Sequence, residues 1–350
     1  TSDQTFQPPL APVQAPLLRV TIHDQSNVTD SYAIFGQATY ALTGDLNLTA
    51  GMRWSKDKKE FTNDATRTGD FGLANFPFSV AESTRWDAFT PRVSVDYRLN
   101  QDIMFYGTYS EGFKSGGWDG QPETVTAARE SFEPEYANNF EVGTKTQWFD
   151  DRLRLNISTY LIDYTDLQVG QFLDLDNDIV TPPVKVISNA GAVESKGVEL
   201  EMQARPSSNL RFNANYSYLD SRVSEDLLEN GVNLKGNRTK RSPRHSLSIG
   251  ASYTVELGDI GSTTLRANWS FNDEAYFELN NSPESLRDDY SLLNLSASWL
   301  SSDQSWEIKA WVKNVNDELY WTHTIPFVGS GFPTFGAPRT FGLTGTWRPM

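Results

Sequence analysis

The sequence predicts an all-β fold, an antiparallel up-and-down transmembrane β-barrel of which about 13–14 strands are visible. Three observations predict it. Apolar and small polar residues alternate over runs of about ten residues, as in 244–256, where Leu247, Ile249, Ala251, Tyr253 and Val255 oppose Ser246, Ser248, Gly250, Ser252 and Thr254. Short polar turns and long irregular loops take turns along the chain. Aromatic residues, 20 Phe, 14 Tyr and 10 Trp, gather near strand ends, where an interfacial girdle needs them.

Residues 1–30 read as an irregular loop or truncated strand, with Pro8, Pro9, Pro12 and Pro16, although 17–24 offers a short strand. Residues 31–350 read as barrel. Residues 32–42 turn through Thr43-Gly44-Asp45 into 46–61, a hairpin signal. The next pairs are 83–99 with 103–113, 133–149 with 152–172, and 185–205 with 210–224. They are followed by 245–257 with 263–277, 289–300 with 305–316 (running on towards 324), and a closing strand at 338–348. That makes thirteen strands, with 17–24 as a fourteenth. Two-to-five-residue turns join the members of each pair, and long loops (62–82, 114–132, 173–184, 225–244, 278–288, 325–337) join the pairs. One rim therefore carries tight turns and the other a crown of loops, the periplasmic and extracellular ends of an outer-membrane barrel.

The faces agree from strand to strand. Leu153, Leu155, Ile157 and Leu161 oppose Arg154, Asn156, Ser158 and Tyr160, and Leu265, Ala267, Trp269 and Phe271 oppose Arg266, Asn268 and Ser270. A soluble two-sheet sandwich alternates too, with its apolar face as a core. It gives no reason for long loops to segregate to one rim. A mean hydropathy of -0.49 does not speak against a membrane, because a barrel strand is only half apolar.

The composition narrows the function. The 45 acidic against 30 basic residues give a net charge of -15, which argues against a nucleic-acid partner. Acids lie mostly in loops and turns, where they solubilise the chain or draw cations to the outer rim. With no cysteine there is no disulfide framework, thiolate metal site or thiol nucleophile. His23, His245 and His323 are scattered without metal-ligand spacing, and no Ser-His-Asp set is defensible, so neither an enzyme nor a resident cofactor is expected. The glycines of 112–120 lack the Lys-Ser/Thr ending of a phosphate loop and read as a strand end entering an outer loop, with Trp118 exposed or lining a vestibule. Asp174, Asp176 and Asp178 alternate like calcium ligands, but Ile179 stands where the loop needs its glycine, so a solvated acidic loop competes with calcium. The basic run Lys235, Arg238, Lys240, Arg241 and Arg244 suits lipopolysaccharide and an anionic ligand equally. The opening Thr1-Ser2-Asp3 carries no signal peptide, so a fragment or processed chain is expected.

Several stretches, in this order and spacing over roughly residues 30–348, resemble the C-terminal barrel of TonB-dependent outer-membrane receptors. They are Tyr32-Ala-Ile-Phe-Gly-Gln-Ala-Thr-Tyr40 with Leu48-Thr-Ala-Gly-Met-Arg-Trp54; Thr90-Pro-Arg-Val-Ser-Val-Asp-Tyr97 leading to Tyr106-Gly-Thr-Tyr-Ser-Glu-Gly-Phe-Lys-Ser-Gly-Gly-Trp118; and Phe132-Glu-Pro-Glu135 with Phe140-Glu-Val-Gly-Thr-Lys145. Asn189-Ala-Gly191, Lys196-Gly-Val-Glu-Leu-Glu201, Val312-Lys-Asn-Val-Asn-Asp317 and Pro338-Arg-Thr-Phe-Gly342 complete the set. The resemblance implies a 22-stranded barrel around an N-terminal plug. Several strands, the plug and the energy-coupling motif are then outside this sequence, leaving two unpaired sheet edges. The family commonly ends on an aromatic residue, whereas here Arg348-Pro349-Met350 follow Trp347. The resemblance further implies an active-transport receptor for a scarce nutrient, foremost a ferric siderophore, energised through the TonB complex by way of the plug. Outer-membrane lipid and lipopolysaccharide would be its surroundings. The candidate ligand contacts in loops and vestibule are Lys114, Trp118, Arg238, Lys240, Arg241, Tyr276, Tyr320, Trp321 and His323. A passive diffusion porin, which has no plug, and a soluble β-sandwich binding module are the alternatives.

Overall fold

The computed structural model describes residues 20–68, 76–173, 184–229, 231–327 and 330–349. Thirteen antiparallel strands form one sheet in which every neighbour in space is the neighbour in sequence. They are β1 (Val20–Ala41), β2 (Leu46–Thr68), β3 (Phe78–Arg98), β4 (Ile103–Lys114), β5 (Glu135–Trp148), β6 (Leu153–Thr165) and β7 (Val193–Ala204). The rest are β8 (Leu210–Val223), β9 (His245–Glu256), β10 (Ser262–Asn272), β11 (Tyr290–Leu300), β12 (Trp306–Lys313) and β13 (Thr340–Trp347). Among the described residues β1 and β13 each have one neighbour in the sheet.

Register carries the alternation across the strands. One row runs Met202–Ala214–Ile249–Trp269–Leu293 from β7 to β11, and the next, pointing the other way, runs Glu201–Asn215–Ser248–Ser270–Leu292. Ile249 is 42% exposed and Leu295 39%, although both lie mid-strand on the apolar face. No second sheet covers that face among the described residues, so the sandwich is ruled out. An exposed band of Phe89, Val93, Val142, Ile157, Ile249 and Leu295 is the lipid-facing surface of a membrane barrel.

The tight turns are written in their side chains. The Thr43 hydroxyl accepts from the backbone N–H of Asp45 (3.2 Å) and Leu46 (3.1 Å). Asn100 Oδ1 accepts from the N–H of Asp102 (2.8 Å) and Ile103 (2.9 Å). Both are local bonds that a two-to-five-residue turn needs when its backbone has no ladder partner.

Several boundaries differ from expectation. Residues 17–24 are no separate strand: β1 starts at Val20, inside the stretch expected to be irregular, and runs unbroken to Ala41. β2 and β3 continue through most of the expected 62–82 loop, pairing out to Ala65 and Phe78. The expected strands 152–172 and 185–205 each break, because Asp166 takes a left-handed φ of 55° and Gly191 one of 75°. Beyond those breaks Gln168–Leu173 pairs with Val184–Asn189 as a ribbon within the loop. Likewise β10 ends at Asn272, and a second loop ribbon, Trp321–Phe327 with Ser330–Phe335, fills most of the β12–β13 connection. A period-two pattern marks a loop ribbon and a wall strand identically, so alternation alone merges them.

Candidate functional site

The inner face of the sheet and the loops above it form the concave side of the wall. A polar cleft of about 580 Å³ lies on that face, lined by Tyr106, Glu141, Lys145, Asn156, Glu199 and Asn215 among others. The Tyr106 hydroxyl donates to Glu141 Oε1 at 2.5 Å, and the Lys145 ammonium stands 5.5 Å from the Tyr106 ring centre. Asn156 Nδ2 donates to Glu201 Oε2 at 3.2 Å. A cleft of about 770 Å³ opens above it towards the loops, between Glu135, Tyr160, Tyr164, Ser195, Thr239 and Lys240. None of these inner-face residues except Lys240 was among the sequence candidates. The signal that could have found them is the inward set of each strand, since Asn156 and Asn215 share one row of the hydrated face with Glu201, and Glu199 and Glu141 lie in the next two inward rows.

Two small apolar cores brace the loops. The first holds Phe61, Val80, Trp86, Trp118 and Ala128, with Phe78 and Val125 against it. Trp118 is 5% exposed: its ring stacks on Phe61 at 5.6 Å, meets Trp86 edge-on at 5.7 Å and donates Nε1–H to the Arg129 carbonyl at 3.3 Å. The expectation of an exposed or vestibule-lining Trp118 is therefore corrected. The physical reason is that β2 and β3 extend far enough to offer Phe61, Val80 and Trp86 as its floor. Gly116 is required for the same packing, because a Cβ there would lie 2.4 Å from the Phe132 carbonyl oxygen and 2.5 Å from the Trp86 ring. The short helix α1 (Val125–Arg129) closes this core, with the Thr124 hydroxyl accepting from Ala127 N–H at 3.1 Å. The second core holds Val169, Val223, Leu227, Leu234 and Leu279.

The structure gathers Arg238, Lys240, Arg241, Tyr276 and His323 where the loops after β8, β10 and β12 meet. Arg238 is only 8% exposed. It binds Glu274 Oε1 (3.0 Å), the Glu274 carbonyl (2.9 Å) and the Ser242 carbonyl (3.1 Å), which makes it a clasp between loops rather than a free cation. Lys240 pairs with Glu278 at 2.5 Å. Arg241 donates from its backbone to the Tyr276 carbonyl (2.7 Å) and from Nη2 to His323 Nδ1 (3.0 Å), with its guanidinium over Phe277. Lys235 approaches Asp226 at 3.7 Å. The basic run thus meets acids and carbonyls of its own loops. Tyr320 stacks on Tyr290 at 4.6 Å at the base of the same region, and Trp321 opens the ribbon opposite Phe335. Lys114 stands apart, ending β4 opposite Glu135.

Burial pushes the Arg287 guanidinium down and the Glu229 carboxyl up from their ordinary values, while a hydrogen bond from Asn233 and the charge of Lys235 hold Asp226 down. No group of three His, Asp or Glu suited to a metal occurs among the described residues. Asp174, Asp176 and Asp178 lie outside them.

Stretches far apart in sequence close on one another. Asn189 Oδ1 accepts from Glu133 N–H (2.6 Å) while its Nδ2 donates to the Glu133 and Asp166 carbonyls. Asp317 accepts from Arg339 N–H at 2.8 Å, and Asn314 Nδ2 donates to the carbonyls of Glu318 and Ala337.

Comparison with known proteins agrees with this geometry. The family described as TonB dependent receptor-like, beta-barrel, matches residues 2–315. The pesticin receptor of Yersinia pestis is 23% identical over 316 residues, covering 90% of this chain and 43% of that protein. The ferric yersiniabactin uptake receptor FyuA from Yersinia pestis superposes with a TM-score of 0.79 at 21% identity, over 93% of this chain and 47% of that one. The closed form of the ferric-catecholate import receptor Fiu from Escherichia coli K12 gives 0.71 at 18%, over 92% and 45%. The chain thus spans less than half the length of each of these proteins, and at such identities the structures speak for the fold. With the match running over most of the chain, this protein belongs to the TonB-dependent receptor family, as a β-barrel of the bacterial outer membrane.

Proposed function

We propose that this wall is the capture surface and conduit of an active-transport receptor that takes up a ferric siderophore. The observation that carries the reading is the pair of faces: exposed apolar rows outside, and a continuous Asn, Ser, Glu and Tyr lining inside that opens upward into loops braced by their own cores. Relatives support it, being receptors for ferric yersiniabactin and ferric catecholates by name. Capture belongs to the loops and the inner wall, with Lys114, Lys240, Arg241, Tyr276, Tyr320, Trp321 and His323 as candidate contacts. Inward release needs a plug segment whose affinity for the ligand changes when TonB pulls on it. Outer-membrane lipid and lipopolysaccharide would cover the apolar band. No chemistry on the substrate is part of this scheme.

The test uses the full-length receptor in a Gram-negative host stripped of its own siderophore receptors. Uptake of iron-55 carried by a panel of ferric siderophores is expected to saturate and to stop when TonB is deleted. Unsaturable flux independent of TonB would make it a diffusion pore and overturn the reading.

A further inference from the structure

The crown of loops holds two braced bodies. In the first, the loop between β4 and β5 lies on the long strands β2 and β3 around Phe61, Trp86 and Trp118. There the Lys59 ammonium donates to the Gly116 carbonyl at 2.6 Å and Trp86 Nε1 donates to Glu133 Oε2 at 3.1 Å. In the second, the loops after β8 and β10 share the core of Val223, Leu227, Leu234 and Leu279. Asn281 locks them together, its Oδ1 accepting from Arg238 N–H (2.8 Å) and its Nδ2 donating to the Arg238 carbonyl (2.9 Å). The ribbon between β6 and β7, Gln168–Leu173 with Val184–Asn189, reaches both bodies from its base.

One side of that base grips the first body. Gln168 and Asn189 stand opposite each other across the ribbon. Gln168 Nε2 donates to the carbonyls of Glu133 (2.9 Å) and Ser115 (3.1 Å), and its backbone N–H donates to Glu135 Oε2 (2.9 Å). Asn189 holds Glu133 in both directions, accepting from its N–H at 2.6 Å and donating to its carbonyl at 2.8 Å. The other side grips the second body. Consecutive strand residues point to opposite faces, so Val169 turns away from Gln168 and enters the second core, 8% exposed, with Leu167 and Ala190 packed against that core. Ser224 N–H donates to the Ala192 carbonyl at 2.9 Å, fixing the ribbon's exit to the same body. The base between the two grips is short and closed. Asp166 and Gly191 take left-handed φ of 55° and 75°, and Ala190 N–H donates to the Leu167 carbonyl at 3.0 Å. Leu167, Gln168 and Val169 also line the upper cleft beside Lys240 and Leu279.

We propose that the base of this ribbon is a mechanical coupler that makes the two loop bodies loosen and tighten together. One peptide link separates the amide that clasps the first body from the valine that anchors in the second. Loosening the apolar grip therefore frees or tilts the clasp, and breaking the clasp takes a brace from the core. Coupling of this kind needs a contiguous packed network, and here it is a few residues long. The clasp is made of neutral amides on carbonyls, so the coupling persists at high salt, unlike one carried by exposed ion pairs. The inference goes beyond the transport reading and holds whatever the cleft binds.

The test is hydrogen exchange on the full-length receptor in detergent, without ligand. Leu279→Ala perturbs the second body at a residue outside the ribbon, and amides of residues 227–237 should exchange about thirtyfold faster or more. Coupling predicts that amides of Gly117, Trp118 and α1, in the first body, exchange about fivefold faster or more in the same variant. With the clasp cut by Q168A/N189A, adding Leu279→Ala should change the first body by less than about twofold. Leu279→Val, a smaller loss, should move both bodies in the same sense by less, which keeps the test informative if the alanine variant loses its loops altogether. Exchange in β9 and β10 should stay unchanged throughout, showing an intact wall. A first body indifferent to both Leu279 variants would overturn the proposal. So would an equal response with and without the clasp, because the bodies would then communicate by another route.

Discussion

Replacing Trp118 with alanine tests how the outer loop between β4 and β5 is held. Trp118 is 5% exposed, and burying an indole removes roughly 200 Å² from water, worth about 5 kcal/mol at 25 cal/mol per Å² as an upper bound. Its stacked contact with Phe61 and edge contact with Trp86 each add about 0.5–1.5 kcal/mol, and the bond from Nε1 to the Arg129 carbonyl about 1 kcal/mol. Measured large-to-small losses of this kind run at about 3–5 kcal/mol, and that is the value expected here. The loss falls on the loop and not on the wall, whose ladder is untouched, so the barrel's melting is an insensitive readout. Hydrogen exchange on the full-length receptor in detergent is the sensitive one. Amides of Gly117, Trp118 and α1 should exchange at least about a hundredfold faster in Trp118→Ala, while those of β9 and β10 stay unchanged. Trp118→Phe keeps a stacked ring and loses the N–H donor, so it should cost about 1–2 kcal/mol. Unchanged loop exchange together with weakened ligand binding would refute the reasoning and return Trp118 to the role of a ligand contact.

Other outcomes follow from the same geometry. Ile249→Arg places a charge in the outward band and should cost about 2–4 kcal/mol of unfolding free energy in lipid vesicles, whereas Ser248→Arg, one residue earlier and facing the lumen, should cost less than about 1 kcal/mol; equal costs would mean the faces are misassigned. Arg238→Ala removes a buried cation that serves one carboxylate and two carbonyls, and should cost about 2–4 kcal/mol of local loop stability by hydrogen exchange, Glu274 being half-exposed. Lysine should not rescue it, since one ammonium lacks the forked reach to three acceptors. In the β11–β12 turn, bonds from the Ser301 hydroxyl and from the Ser305 N–H and hydroxyl hold the Asp303 carboxyl below its usual range. A depressed carboxyl stabilises the folded turn above its unfolded value, and that contribution fades as pH falls through the folded one. Protection of the Ser305 and Trp306 amides should therefore decline below about pH 4, and Asp303→Asn should start lower and respond less to acid.

The sequence shows the wall clearly because two signals reinforce each other there. Residues 210–218 of β8 and 265–272 of β10 alternate between apolar positions and Arg, Asn or Ser, and Thr43, Asn100 and Asp303 supply local acceptors at the turns. Both signals are local, so one chain suffices to read them. The loops are different. Whether 168–173 belongs to a wall strand or to a ribbon depends on a left-handed backbone at Asp166 and on Asn189 meeting Glu133, 56 residues away in sequence. Trp118 looks like any exposed loop aromatic until Phe61 and Trp86 are seen beneath it. The basic run 235–244 looks like an anion trap until Glu274, Glu278 and Asp226 fold against it. Charge in a loop is legible from sequence; whether that charge is already spent is a tertiary fact.

Wall height decides which residues can touch a ligand. β1, β2 and β3 have 22, 23 and 21 residues, against eight in β12 and eight in β13. At about 3.3 Å per residue the first three reach roughly 70 Å and the last two roughly 26 Å, while a bilayer crossing takes about 9–11 residues. The first sector therefore rises far above the membrane, and its inner face above Arg53 is closed off by the Trp118 core. On the β12–β13 side the wall stops near the membrane surface, and the loop ribbon with His323 and Trp321 stands in for it, tied to the β8–β9 loop through Arg241 and, by the stacking of Tyr320 on Tyr290, to the start of β11. A ligand descending between these unequal walls passes the clasped loops first. It then reaches the inner-wall cleft, where Glu141, Glu199 and Glu201 stand beside Lys145 and Asn156. Recognition there rests on side chains of both signs, because Arg238, Lys240 and Lys235 above it are already held by Glu274, Glu278 and Asp226.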